Sequence, residues 1–375
     1  MPGMAQSFDV CIRGTGIVGR TLALLLARER LRVGLVAPPM EKGAATGPDV
    51  RAYALNLASR NLLESLRCWP PADTATPVLH MNVSEDQGGE VNFDAAQMGT
   101  QALTWIVDVP VLEAQLIDAV RFQPQIELLD TPAPAALTVV CEGRMSSTRA
   151  EFGVDFDVTP YDQHALAARL VCEKPHAQIA RQWFAHGEIL AFLPMGGESG
   201  NSVAIVWSLS PERAAKMRDI GAEDFCRELQ ADSKDSLGQL TLSSERAVWP
   251  LQKARARKWT GHNAAGAWAL AGDAAHNVHP LAGQGLNMGL ADVAELARLL
   301  REREYWRTVG DDKVLRRYER SRKAGMLPMA TGTDGLQWLF SQNNGAWATL
   351  RNWGMNRVDG SGWLKQWMAR QAMDF

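Results

Sequence analysis

The chain has 375 residues, 46% of them hydrophobic and 22% charged, with a formal net charge of −3. That length exceeds one ordinary core and points to two intertwined lobes. The composition is that of a soluble globular protein, and the lack of a basic excess argues against a nucleic-acid partner.

The one basic run, Lys253-Ala254-Arg255-Ala256-Arg257-Lys258, is short and reads as a solvated strand end or loop. The five cysteines, Cys11, Cys68, Cys141, Cys172 and Cys226, have neither metal-knuckle nor redox-pair spacing. Buried free thiols in a reducing cytoplasm suit that pattern. No signal-peptide pattern opens the chain, and the run Leu22 to Ala27 is too short to span a bilayer. The expectation is a cytoplasmic protein, attached to a membrane peripherally at most.

In chain order, Phe8 to Ile12 reads as a strand, Ile17 to about Glu29 as a helix and Arg32 to Ala37 as a second strand, closed by Pro38-Pro39. A helix pattern covers Ser59 to Leu66 and ends at Pro70-Pro71. Val78 to Val107 alternates like a mixed sheet. Leu112 to Val120 is helical, and Leu137 to Cys141 is a short apolar strand. Phe152 to Leu209 is mostly strand-like, and Pro211 to Leu229 is expected as one helix. Ala267 to Ala271 is another buried strand, followed by a loop and a strong helix from Gly285 to Leu300. The tail from Asp311 is helical and carries Trp338, Trp347, Trp353, Trp363 and Trp367.

Gly14-Thr15-Gly16-Ile17-Val18-Gly19 has the G-x-G-x-x-G spacing between a strand and a helix. Gly14 allows the tight turn, Gly16 lets backbone approach a pyrophosphate, and Gly19 lets helix pack on strand. The helix N-terminus offers unpaired N–H groups to phosphate. No acid stands where the ribose is usually bound: the second strand ends at Ala37, with Glu41 and Asp49 beyond as substitutes. Arg13, in a place usually apolar, is read as facing a phosphate.

A second signal runs from Ala271-Gly272-Asp273-Ala274-Ala275-His276 through Pro280 to Gly283-Gln284-Gly285-Leu286-Asn287. Asp273 can accept from polyol hydroxyls, and the helix start near Gly285 can stabilise a developing anion. Asp273, His276 and His279 also have a spacing that admits a metal. Pro280 and Gly283 argue instead for a loop of polar residues lining a cofactor, and no metal is expected.

With these motifs the chain resembles the FAD-dependent aromatic hydroxylases, and among them the ubiquinone-biosynthesis hydroxylase family. The head motif matches that family's dinucleotide fingerprint. Asp49-Val50-Arg51-Ala52 resembles the segment whose arginine reaches the FAD pyrophosphate, which gives Arg51 that expected role. Cys141-Glu142-Gly143, with Ser146 and Arg149, resembles an internal Asp-Gly motif that serves FAD and the nicotinamide donor. Glu142 replaces the usual aspartate. Tyr161, Gln163, Pro175-His176, Phe184 and Leu193-Pro194 follow the family's middle sheet. Tyr318 to Arg322, Thr333-Asp334, Phe340-Ser341 and Leu350 to Asn352 continue the match. Val109-Pro110 stands where a polar FAD contact is common, and Arg121 to Val140 leaves little room for the usual additional strands.

The resemblance implies an α/β fold: a Rossmann-like FAD-binding domain interleaved with a mixed-sheet substrate domain and a C-terminal helical tail. Residues 1–77, 106–150 and 245–300 would form the FAD-binding domain, 78–105 and 151–244 the substrate domain, and 301–375 the helical region. Cofactor contacts are expected at Gly14, Gly16, Gly19, Arg51, Glu142, Gly143, Gly272, Asp273, Pro280, Gly283, Gln284, Gly285 and Asn287. FAD is expected to bind non-covalently, with NAD(P)H as electron donor. Dioxygen would then supply a hydroxyl to a polyprenylated aromatic ring. No side chain stands out as acid or base. The tail tryptophans are read as core packing, with a membrane or partner surface in a ubiquinone-synthesis assembly as the alternative. A member that has lost tight FAD binding and serves only as an assembly subunit, and a hydroxylase of soluble phenols, are the competing readings.

Overall fold

A computed structural model describes residues 8–37, 49–86, 88–277 and 284–341, the stretch 327–341 by its backbone alone. Strand β1 (Phe8–Arg13) is apolar and largely buried, as the inner strand of a parallel sheet must be. It turns through Gly14 to Gly16 into α1 (Ile17–Arg28) and returns as β2 (Val33–Val36), parallel to β1. Next come β3 (Ala52–Leu55) and α2 (Leu57–Ser65), whose N-terminus is capped by Asn56 accepting from the Ser59 N–H at 2.8 Å. The mixed region holds β4 (Ala75–Val78), β5 (His80–Glu85), β6 (Glu90–Asp94) and β7 (Thr104–Asp108).

Helix α3 (Val109–Arg121) starts three residues before the apolar pattern suggested, because Pro110 sits in its first turn, where a missing N–H is harmless. Two short strands, β8 (Ile126–Leu129) and β9 (Ala135–Val140), fill the span before Glu142. After α4 (Ser147–Glu151) come β10 (Phe156–Cys172), β11 (Ile179–Ala185), β12 (Glu188–Met195) and β13 (Ser202–Leu209).

The single helix expected from Pro211 to Leu229 is two. Helix α5 (Pro211–Asp219) stops at Ile220, which is extended, and α6 (Ala222–Asp232) restarts after Gly221 with Glu223 and Asp224 in its first turn. Then follow β14 (Leu240–Leu242), β15 (Ala247–Ala256), β16 (Thr260–Asn263) and β17 (Gly266–Leu270). A 3₁₀ turn (Gly272–Ala274) and β18 (His276–Asn277) precede α7 (Gln284–Arg301) and α8 (Asp312–Ser341). Trp347, Trp353, Trp363 and Trp367 lie outside the described residues, and the side chain of Trp338 is not described.

A six-stranded sheet in the order β16-β17-β9-β1-β2-β8 is parallel except at its β16–β17 edge. This is the Rossmann-like lobe. A nine-stranded sheet in the order β18-β15-β10-β13-β12-β11-β5-β6, with β14 beside β10, is antiparallel except where β5 meets β11. The strands β3, β7 and β4 form a small third sheet. The two lobes are interleaved in sequence, since β5 and β6 join a sheet otherwise built from residues after 155.

Each lobe has its own core. The first packs α1, α3 and α7 on the parallel sheet around residues such as Ile12, Leu22, Val139 and Leu290. The second sets α5 and α6 against the large sheet around Trp207, Phe192 and Phe225. A smaller cluster with Val78, Ile106 and Met195 joins the small sheet to the large one. Arg169 of β10 adds a polar clamp, donating to Asp108 and to the carbonyls of Asp49, Val50 and Arg51. Among the described residues, no helix is long and apolar enough to cross a membrane.

Candidate cofactor and active site

Three backbone features meet at the carboxyl end of β1. Gly14 sits at φ +119°, and a Cβ there would run into the carbonyl of Cys141. A Cβ on Gly19 would run into the Gly14 carbonyl, so these two glycines serve the packing of α1 on its strand. Gly16 differs. It caps α1 without a side-chain bond, no acidic residue occupies the first turn, and a Cβ there would meet nothing within 4 Å among the described residues. The first N–H groups of α1 have no partner within the helix, which suits them to hold an anion.

Arg13 does not face a phosphate site. Its guanidinium pairs with Glu142 at 3.2 Å and Glu151 at 2.9 Å. Glu142 is filled by protein donors: it also accepts from the Ser146 and Thr148 hydroxyls and from the Thr148 N–H at 3.1 Å. Its carboxylate therefore anchors the start of α4, at a place that the added methylene relative to aspartate can reach. Gly143 follows at φ +79°. Arg149 is buried and donates to the carbonyls of Ala274 and Arg144, which ties this segment to the 3₁₀ turn.

Arg51 stands just before β3. Asp49 holds its Nε at 2.9 and 3.0 Å, and its Nη1 lies 3.3 Å from the Tyr53 hydroxyl. Asp49, suggested above as a ribose acid, is thus committed to Arg51. Burial works against the charge on Asp49, but the Arg51 bonds outweigh it and hold the carboxyl below its ordinary pKa. The same bonds raise Arg51. Tyr53 is raised by burial, with Arg51 opposing. Sequence reasoning passed over Tyr53, although two-residue alternation along a strand places it on the same side as Arg51.

Asp273 lies in the 3₁₀ turn and has no hydrogen-bond partner among the described residues. Burial pushes its carboxyl pKa up, against the opposing charges of His276, Arg144 and Arg51. A Cβ on Gly285, in the first turn of α7, would find the Asp273 Oδ1 as its nearest neighbour among the described residues, at 4.0 Å. Beside it, the buried Oε1 of Gln284 has no partner among the described residues. An unpartnered carboxylate and a side-chain-free helix start thus lie side by side, an acceptor for polyol hydroxyls next to the positive end of a helix that favours an anion-forming ring.

The other expected contacts fall differently. Gly272, at φ +62°, packs on Val18 and donates its N–H to Asp292 at 2.9 Å. Asn287 is committed to protein: its Oδ1 accepts from the Asn56 N–H at 3.0 Å and the Ser59 hydroxyl at 2.7 Å, and its Nδ2 donates to the Ala54 carbonyl at 2.8 Å. Pro280 and Gly283 lie outside the described residues, as do His279 and Glu41. Ala37 is exposed beyond β2. His276 is engaged by Asp292 at 2.6 Å, and no group of three metal-ligating side chains occurs among the described residues.

Comparison with known proteins agrees with this geometry. A family described as FAD binding domain matches residues 131–330. The ubiquinone hydroxylase UbiL of Rhodospirillum rubrum is 30% identical over 393 residues, which cover 97% of this chain and 89% of that protein. The 3-demethoxyubiquinol 3-hydroxylase of Escherichia coli is 29% identical, covering 99% of this chain and 98% of its own. Among solved structures, p-nitrophenol 4-monooxygenase PnpA from Pseudomonas putida DLL-E4 superposes with a TM-score of 0.75 at 18% identity, over 98% of this chain and 97% of that one, which speaks for the fold.

Proposed function

Because this chain belongs to the FAD-dependent hydroxylase family of ubiquinone biosynthesis, we propose that it hydroxylates the aromatic ring of a polyprenylated phenol or quinone precursor, with NAD(P)H and dioxygen. The observation that carries this reading is the unpartnered Asp273 carboxylate beside the side-chain-free α7 start at Gly285, on a turn whose Gly272 packs against Val18 in the first turn of α1. These residues fit FAD. The N–H groups after Gly16 would hold the pyrophosphate, with Arg51 adding positive charge, and Asp273 would accept from the ribityl hydroxyls. When bound, FAD supplies the redox chemistry, taking electrons from NAD(P)H and activating dioxygen.

The chain's own residues bind and orient. The positive end of α7 at Gly285 favours negative charge beside it, as reduced flavin requires. Gly14 and Gly19 fix α1 against β1, and Asn287 fixes α7 against β3 and α2. Gly143 and Glu142 would shape the wall near the nicotinamide donor through backbone, since the Glu142 carboxylate is already occupied. The nine-stranded sheet would cover the ring and exclude water, which keeps activated oxygen from leaking. Its strand β15 extends that cover past the 78–105 and 151–244 limits proposed for the substrate domain.

The isoprenoid tail of the substrate would call for access to a membrane, through peripheral contact or a complex with other ubiquinone-synthesis proteins. The test is purification with added FAD followed by a turnover assay. Flavin absorbance should elute with the protein, and NAD(P)H oxidation should depend on a prenylated phenol. Complete loss of flavin under mild conditions would overturn the reading.

A further inference from the structure

The carboxylate of Asp292, on α7, is fully buried and accepts from three donors. Oδ2 takes the Gly272 N–H at 2.9 Å and the His276 Nε2–H at 2.6 Å, and Oδ1 takes the Arg322 Nε–H at 2.7 Å. An ionised carboxylate only accepts, so His276 presents an N–H at Nε2. The imidazole lies flat on Trp259, with ring centroids 4.9 Å apart and 20° between planes. Arg322 comes from α8 and also donates to the Met288 carbonyl at 3.3 Å.

Gly272 and His276 stand on either side of Asp273 in the chain. One carboxylate thus grips the 3₁₀ turn from both flanks while the Asp273 side chain between them stays unpartnered. Close packing leaves the turn little freedom: a Cβ on Gly289 would meet Val18 Cγ2 at 2.8 Å and the Gly272 Cα at 3.3 Å. A buried carboxylate is costly unless paired; burial opposes the charge here, and His276 and then Arg322 outweigh it and hold the carboxyl below its ordinary pKa.

We propose that Asp292 is a positioning residue for the cofactor site: with Arg322 as its counter-ion, it sets where the 3₁₀ turn presents Asp273. This rests on the reading of Asp273 as a cofactor contact. The chemistry of the grip is specific. In Asp292→Asn the amide has one accepting oxygen and one donating NH₂. If the NH₂ faces Arg322, two donors collide. If it faces the turn, it meets the Gly272 N–H, which cannot become an acceptor. No amide orientation satisfies all partners. The double variant Asp292→Asn/Arg322→Gln removes the conflict, because the introduced glutamine oxygen accepts from the NH₂ and leaves the amide oxygen to the turn.

Two readouts on the full chain test this. The first is hydrogen exchange of the FAD-free protein over residues 270–277. The second is FAD affinity with circular dichroism of the bound flavin. Asp292→Asn should speed exchange in the turn, weaken FAD by about tenfold or more and alter the flavin signal, while the double variant recovers most of each. Normal turn exchange and an unchanged flavin signal in Asp292→Asn, even with lowered thermal stability, would overturn the proposal and leave Asp292 a packing residue. Should Asp292→Asn not fold alone, Arg322→Gln is read by itself: faster turn exchange supports the proposal, and exchange within about twofold of the parent overturns it. If the parent chain binds no FAD, the cofactor reading fails, and the exchange measurement still decides the positioning role.

Discussion

The guanidinium of Arg51 lies against the carboxylate of Asp49, two residues earlier, with its Nε 2.9 Å from Oδ1 and 3.0 Å from Oδ2. The residue expected to meet the FAD pyrophosphate is therefore neutralised by a neighbour in the FAD-free protein. Asp49→Asn removes the competing charge. It should tighten FAD binding by about threefold to tenfold and change folding stability by less than about 1 kcal/mol, since Arg51 is half exposed. Fluorescence titration of FAD into the apoprotein measures it. Weaker binding in Asp49→Asn would show that Asp49 orients Arg51 rather than competing for it.

Asp273 gives a prediction with opposite signs for stability and binding. Burial raises its folded pKa, so above the pKa of the unfolded chain this carboxyl costs folding energy in the FAD-free protein. Asp273→Asn should raise the thermal midpoint of the apoprotein at pH 7. The gain should shrink as pH falls through the raised pKa and vanish below about 4, where the unfolded carboxyl is also protonated. FAD affinity should fall in the same variant. Equal midpoints for both proteins at pH 7 would contradict the account.

Gly285→Val tests the start of α7. Among the described residues the nearest neighbour of a Cβ there is Asp273 Oδ1 at 4.0 Å, ordinary van der Waals contact. The variant should fold with a thermal midpoint near the parent's, because the apolar face around Leu286, Leu290 and Val293 is untouched. Flavin binding or flavin reduction should be lost. Normal flavin binding and reduction per folded molecule would remove this loop from the site.

Asn287 should behave differently from Asp273 and Gly285. Asn287→Ala strips a buried acceptor from the Asn56 N–H and Ser59 hydroxyl and a donor from the Ala54 carbonyl. The expected loss is on the order of 3 kcal/mol in denaturant unfolding of the apoprotein. A stable variant with selectively weakened FAD would instead give Asn287 a direct role in binding.

Much of the fold was legible because the parallel lobe is built from local signals. The glycine turn after Phe8 to Ile12, the apolar helix Ile17 to Arg28 and the strand–turn–helix around Asp273 each announce themselves over a few residues. The break at Ile220-Gly221 was missed because both flanking segments have helical composition and only one glycine separates them. The candidate site was readable as a candidate through its glycines and Asp273. The fates of Arg13, Glu142 and Asn287 were not, because a polar residue in a binding motif looks the same whether its partner is ligand or protein. Only the fold brings Glu151 to Arg13 or Ser59 to Asn287. Asp292 was hidden for the same reason, on a helix otherwise read for its apolar stripe.

The most direct test of the central claim is oxygen incorporation. The FAD-supplemented protein would be given NAD(P)H, isotopically heavy dioxygen and a prenylated phenol, and the product mass measured. The account predicts a hydroxylated ring carrying one heavy oxygen atom, formed only when FAD and NAD(P)H are both present. A flavin-loaded protein that consumes NAD(P)H without labelling any ring, or one that holds no flavin at all, would contradict it.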